Sequence, residues 1–511
     1  MKTRMFVLVL LPLLVLALAG ESQAWQGRMG GMGDPYGLLA DESDFLIIPA
    51  KIAGGEGIRL YGGYQFTYRG VTDWNYDLDW FTPVGSTYIG SRAYDTSGKE
   101  SRHDALVGIA MPVGMGRMGI FFQYAGSRGD YDGDGYWMAP TVPNTYDLSS
   151  DLDDFTVSLL YGLPVGSFQL GGEFQLVYRD EENKTEYREL LTTETFINNP
   201  QGGYNAIGWP FDANFFPFMI PYDSSYMEAL FKGSLQGMVG PVDVEFALRG
   251  GFIFGGDNQL QYLYIAGGTP IWGDNVNGNV KGWQIGGDLW MRYALADDLS
   301  LPFLVRVDYQ TKTRDGDDFG LINWLYGYES EEKGLVLEAG GGLDKELSEG
   351  TRIAAGIYYS YHDTKNELSY AIPTIAWNFD NSECPALTEH RVMLKLAGEL
   401  ELSPMATLRM GLTPFLGWMR EDFAYSDAGF FYNSDAISLD GWRWGIGGSL
   451  GGSIRFNSFT MEPFFNVGYQ EYNLSGDGAS TFLGTLFNLT DMDLTRQEWY
   501  VGGGISFLLG L

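Results

Sequence analysis

Cysteine is nearly absent from this 511-residue chain: Cys384 is the only one, which excludes an intrachain disulfide framework. Three histidines beside it leave too few ligands for the usual Cys/His sets of structural zinc. Cations are scarce as well. Against 65 Asp and Glu stand 32 Lys and Arg, a net charge of -33. So acidic a protein is a poor partner for nucleic acid, because phosphate binding needs clustered Lys and Arg. After the first two dozen residues no apolar run of about 18 residues occurs, so no spanning helix is expected. No C-x-x-C-H haem motif and no blade-length repeat occurs either.

What is abundant is glycine, with 71 residues, and aromatics, at 15%. The aromatics, with plentiful branched apolar residues, argue against disorder. The first 24 residues read as a cleavable export signal: Lys2 and Arg4, an apolar run from Met5 to Ala19, then the small residues of Ser22-Gln23-Ala24. Residues 25–56 form a separate lead-in, either periplasmic or folded into a lumen as a plug, with Phe45 and Pro49 at its apolar centre. An exported chain without a spanning helix is soluble or crosses its membrane as a closed barrel.

Residues 57–511 favour the barrel. In Gly57 to Arg69 the positions Ile58, Leu60, Tyr64, Phe66 and Tyr68 share one face and Arg59, Gln65, Thr67 and Arg69 the other, as alternate side chains of a strand do. Trp442 to Phe456 and Trp499 to Leu511 repeat the pattern. Sixteen such segments are expected, near 57–69, 102–113, 116–126, 153–163, 166–180, 226–238, 241–255, 280–295, 299–312, 333–344, 350–363, 388–402, 405–419, 440–456, 458–472 and 496–511. They are long enough for tilted membrane strands and longer than most soluble strands. Short turns alternate with long connections down the chain. The expectation is an all-β, transmembrane, antiparallel up-and-down β-barrel of about sixteen strands (fourteen to eighteen admitted), with short periplasmic turns and long extracellular loops.

The chain thus resembles Gram-negative outer-membrane barrels of the porin type. One segment resembles a narrower group. Asp41 to Ala53 reads D-E-S-D-F-L-I-I-P-A-K-I-A, similar to the D-x-x-x-x-x-x-N-P-A-x-x-A stretch before the first strand of FadL-like transporters of hydrophobic compounds, with Ile48 where that family has Asn. That resemblance implies fourteen strands and an amino-terminal hatch. Many outer-membrane barrels end in an aromatic residue; this chain ends in Leu511.

Parity places the pore-lining candidates: Arg59, Arg117, Glu173, Arg179, Glu228, Arg249, Arg292, Arg306, Glu338, Arg352, Glu399, Arg409, Arg443, Arg455 and Glu462. Glu399, Arg409, Arg455 and Glu462 lie at similar heights on four consecutive strands. They form a charge filter or, the favoured expectation for any one residue, a mutually neutralising ladder. The third long loop, 181–225, is the other plug candidate, through Trp209, Phe211, Phe215, Phe216 and Phe218. Asp130, Asp132 and Asp134, with Gly135, match the first, third, fifth and sixth positions of a calcium loop, although Thr141 stands at the twelfth. Ca2+ in an extracellular loop is therefore a candidate, and no other cofactor is expected. Ser360, His362 and Glu389 are the one grouping reminiscent of a nucleophile, base and acid, and no enzyme is expected. The expected partners are outer-membrane lipid and lipopolysaccharide, small solutes and further copies of the chain in a homo-oligomer. The primary expectation is passive diffusion of small solutes or ions, with cations drawn in by the acidic loops. The alternatives are a plugged FadL-like barrel for hydrophobic compounds and a structural or adhesive barrel.

Overall fold

A computed structural model describes residues 28, 30, 32, 37–39, 42–81, 88–137, 143–189, 222–255, 258–266, 269–319, 325–372, 377–383, 386–427, 433–482 and 485–511. The export signal and the aromatic run Trp209, Phe211, Phe215, Phe216 and Phe218 lie outside them. Two 3-10 turns, η1 (Glu42–Leu46) and η2 (Pro49–Gly54), precede the strands. Then follow β1 (Arg59–Phe81), β2 (Tyr88–Val113), β3 (Gly116–Trp137), β4 (Pro143–Val165), β5 (Phe168–Glu189), β6 (Tyr222–Val239), β7 (Val242–Phe254), β8 (Asn258–Ala266) and β9 (Thr269–Ala296). The chain continues through β10 (Leu299–Phe319), β11 (Leu325–Ser348), β12 (Thr351–Ile372), β13 (Trp377–Glu383), β14 (Ala386–Ser403), β15 (Ala406–Asp427), β16 (Asn433–Phe456), β17 (Phe459–Phe482) and β18 (Thr485–Gly510).

All pairings are antiparallel between neighbours, and β1 pairs with both β2 and β18, Arg59 lying opposite Ala110 on one side and Gly510 on the other. The sheet therefore closes. Sixteen strands make the wall. The short strands β8 and β13 are additions to outer hairpins, because β7 pairs directly with β9 and β12 with β14 below them. Closure leaves no unpaired edge, the condition for a sheet to sit in hydrocarbon.

The period-two pattern becomes two different surfaces. Outward residues such as Phe252, Ile357 and Leu402 are more than 60% exposed, while inward Asp288 and Arg409 are 1% exposed. So much apolar surface is stable against lipid and not against water. Outward aromatics pair across strands at the outer border of the band: Tyr68–Trp499 at 5.5 Å, Trp283–Tyr309 at 5.2 Å and His390–Trp418 at 5.5 Å between ring centroids. These positions stand roughly 10 to 14 residues above the periplasmic turns, about 25–35 Å along the barrel axis for tilted strands. The two outward histidines belong to this girdle: Tyr64 and Tyr359 hydroxyls sit 2.8 and 2.7 Å from Nδ1 of His103 and His390.

Periplasmic turns are tight. Gly114 between β2 and β3 has φ 62°, and Asn457 between β16 and β17 is the one non-glycine with positive φ among the described residues, at 53°. Asn tolerates that left-handed conformation better than other side-chain-bearing residues.

The long connections differ from expectation. Most of residues 70–101 and 127–152 are strand, since β1 runs 23 residues and β2 26. Above the membrane, continued pairing satisfies backbone groups as well as water does, so the hairpins project as ribbons. Asp130, Asp132 and Asp134 consequently lie on extended backbone of β3, opposite Ser149, Asp147 and Thr145 of β4, rather than on a loop. The side chains of Asp132 and Asp134 lie outside the described residues.

Candidate functional site: the occupied lumen

The described part of the lead-in is inside the barrel. Met32, Leu38, Leu39, Ile47, Ile48 and Ala50 pack with inward Ala247, Trp290, Leu304, Ala354, Tyr358 and Ala397 of β7 to β14. Phe45, Leu46 and Ile52 pack with Tyr61, Leu106, Ala110, Phe121 and Leu160 of β1 to β4. One short segment thus touches opposite walls near the periplasmic end. Phe45 sits edge-on to Tyr61 at 5.3 Å and tilted on Phe121 at 5.1 Å. Pro49 begins η2, where its missing N–H costs no hydrogen bond.

Polar anchors fix this packing. Lys51 Nζ donates to Asp44 Oδ2 at 2.7 Å and pairs with Glu245 Oε2 of β7 at 2.9 Å, 5.0 Å above the centre of the Trp290 ring. Burial alone would lower the Lys51 pKa, but Asp44 and Glu245 outweigh it and hold the ammonium above its ordinary value. Ala50 N–H donates to Ser234 Oγ at 2.7 Å, Lys232 Nζ to the Leu46 carbonyl at 2.8 Å, and Trp290 Nε1 to the Gly37 carbonyl at 2.8 Å. Arg28 Nε reaches Glu399 at 2.9 Å, and Arg117 Nη1 the Gly57 carbonyl at 2.7 Å.

Inward glycines make the seat. A Cβ on Gly171 of β5 would overlap the backbone of Pro49 and Ala50, and one on Gly411 of β15 the Met32 carbonyl. At Gly162 of β4 it would come within 2.8 Å of Ala53 N.

The pore-lining candidates are largely joined in ion pairs. Arg409, buried, bridges Glu462 at 2.8 Å and Glu399 at 3.5 Å. Arg455, on the same tier, is exposed at the rim and makes no ion pair with the described residues. Higher up, Arg249 pairs with Asp288 and Asp308, and Arg306 with Asp288 at 2.6 Å and Glu338 at 4.0 Å. Arg352 pairs with Asp344, which Arg292 also approaches at 3.5 Å. Arg179 forks onto Asp154 at 2.6 and 2.8 Å and lies 3.4 Å from Glu228. Glu173 pairs with Lys232 at 3.0 Å. Arg443 holds Glu389 at 3.0 Å. Arg59 lies on the same inner face at the first position of β1.

These pairs set opposite charges against one another along the wall. Arg409→Met would remove the cation that bridges Glu462 and Glu399, leaving Glu399 only Arg28 as an ion-pair partner, and is expected to destabilise the barrel by about 3–5 kcal/mol, measured as a lower temperature for loss of the compact band on unboiled electrophoresis. Of Ser360, His362 and Glu389, the register sets Glu389 of β14 opposite His362 of β12; Ser360 Oγ accepts from Arg391 Nε at 3.2 Å, and Glu389 pairs with Arg443.

Parity in the sequence places Lys232 on the inner wall, but Lys51, Asp44, Ser234 and Gly171 were not singled out from sequence as site residues. A signal for the first two existed: Lys51 inside the apolar stretch Phe45 to Ala53 and Asp44 at its edge carry opposite charges, which need each other if that stretch is buried.

No protein-family model matches the sequence, and no curated protein matches it. Solved structures do. The P. putida toluene transporter TodX is 10% identical over 96% of this chain and 99% of its own, with a TM-score of 0.39. The Ralstonia pickettii toluene transporter TbuX is 10% identical over 96% and 99%, at 0.38. A Pseudomonas aeruginosa FadL homologue is 11% identical over 97% and 99%, at 0.37.

Proposed function

We propose that this protein is an outer-membrane channel for small hydrophobic compounds, closed at its periplasmic end by its own amino-terminal segment. The observation that carries the reading is the wall-to-wall packing of that segment. An unobstructed diffusion pore has no use for a fitted apolar core in its lumen. Displacement of the segment would bare Leu106, Phe121, Leu160, Trp290, Leu304 and Tyr358, a strip suited to apolar solutes. Most of the inward charges are paired with one another, which agrees with a lumen for solutes other than small inorganic ions.

Proteoliposomes test the reading. The native protein is expected to accelerate entry of a neutral apolar fluorophore such as N-phenylnaphthylamine into a quencher-loaded lumen, while arabinose-driven swelling stays near that of empty liposomes. Rapid arabinose swelling with the native chain would instead support passive diffusion of hydrophilic solutes.

A further inference from the structure

Above the seated segment, at the height of the outer aromatic girdle, five inward side chains on five consecutive strands alternate cation and ring. Arg391 of β14 and Arg443 of β16 lie over Phe415 of β15, at 5.5 and 5.3 Å from its centre. Arg443 and Arg496 of β18 lie over Tyr472 of β17, at 4.6 and 5.8 Å. Two guanidinium groups thus share one phenyl ring, and one carboxylate serves both: Glu389, 3.0 Å from Arg443 and 3.9 Å from Arg391. Like charges so close together repel, and a single carboxylate leaves the trio Arg391, Arg443 and Glu389 at a net charge of about +1. Donors are also left over. Arg443 Nε is buried without a hydrogen-bond partner. Arg391 donates through Nε to Ser360, while its Nη1 and Nη2 have no acceptor among the described residues.

We propose that this ladder is a binding site for a planar organic anion, an arene carboxylate. The carboxylate takes the spare Nη1 and Nη2 donors of Arg391, where a planar guanidinium fork matches its geometry, while the Arg443 fork, held by Glu389 and Gln470, adds its charge and its face. The aromatic ring of the solute stacks among the guanidinium and ring faces. The site rests on the lumen being a path for organic solutes and adds a charged, aromatic class to that reading, selected at the outer end before the seated segment is reached.

Calorimetry on the purified full chain in detergent tests it with three probes: benzoate, cyclohexanecarboxylate (the same charge without the π face) and toluene (the π face without the charge). Benzoate is expected to bind at least tenfold more tightly than either of the others. Arg391→Gln and Phe415→Leu, each checked for a folded barrel by unboiled electrophoresis, should each weaken benzoate at least tenfold. Absence of benzoate binding to the native protein overturns the proposal. So does equal binding of cyclohexanecarboxylate or of toluene, or indifference to both substitutions. The native panel decides the matter even if a variant fails to fold. Passage of N-phenylnaphthylamine without benzoate binding would overturn the ladder site alone and leave the proposed channel standing.

Discussion

Replacing Lys51 with methionine is expected to convert a largely silent barrel into one that conducts. Lys51 lies between Asp44 and Glu245, 2.7 and 2.9 Å from its Nζ, and both carboxylates are buried. Methionine keeps the length and the apolar contact with Trp290 but removes the cation that the two carboxylates share, leaving Glu245 the neutral donor Gln236 Nε2 at 3.3 Å. Breaking a buried pair by removing one member costs about 3–5 kcal/mol, so the seating equilibrium should move by roughly 150- to 5000-fold. The readouts are the open fraction in planar bilayers and the protease sensitivity of residues 25–56. Neutralising the carboxylates as well, with Asp44→Asn and Glu245→Gln, should recover much of the seating, since a neutral trio leaves no stranded charge. Because the folded-state pKa of Lys51 lies above its unfolded value, its contribution is full at neutral pH. It is lost only as the pH rises through that folded-state value. Lys51 itself should therefore stay charged across physiological pH.

The second large effect is expected at Gly171, where seat and wall should respond in opposite directions. A valine Cβ would overlap the backbone of Pro49 and Ala50, and that backbone is pinned by the Ala50 N–H bond to Ser234. Backbone cannot move aside as a flexible side-chain tip can, so η2 must lift off. The wall itself should gain, because valine suits a strand better than glycine by up to about 1 kcal/mol. Gly171→Val should raise conductance as Lys51→Met does, while the temperature at which the compact electrophoretic band is lost stays level or rises. A drop in that temperature without added conductance would mean that Gly171 serves the strand and not the seat.

The wall was legible in the sequence because lipid and lumen impose different chemistry on alternate residues. Each of the sixteen expected segments overlaps one wall strand, and the parity that put Arg409 inward and Trp442 outward agrees with burial of the one and exposure of the other. The outer ribbons were not legible. Above the membrane both faces of a strand are wet, so the alternation fades, and residues such as 70–81 of β1 read as loop. The same fading hid β8 and β13, and it put Asp130 on an expected loop that is a strand.

The lumen was legible only in fragments. Phe45 and Pro49 stood out as apolar residues in a lead-in, but nothing local specifies that Ala50 meets Ser234, 184 positions away, or that Lys51 meets Glu245. Such contacts are set by closure of the whole wall. Glycines carry their meaning only through what approaches them: inward Gly171 and Gly411 are seats for backbone, whereas outward Gly448 has open space where its Cβ would be.

The account stands on the amino-terminal segment closing the lumen, and paired single-channel recordings test that most directly. The full chain and a chain lacking residues 25–56 would be refolded, checked for the compact unboiled band and recorded in the same salt. The account predicts rare, small openings for the full chain and long-lived ohmic steps for the shortened one. Large steady steps from the full chain, unchanged by the deletion, would contradict it.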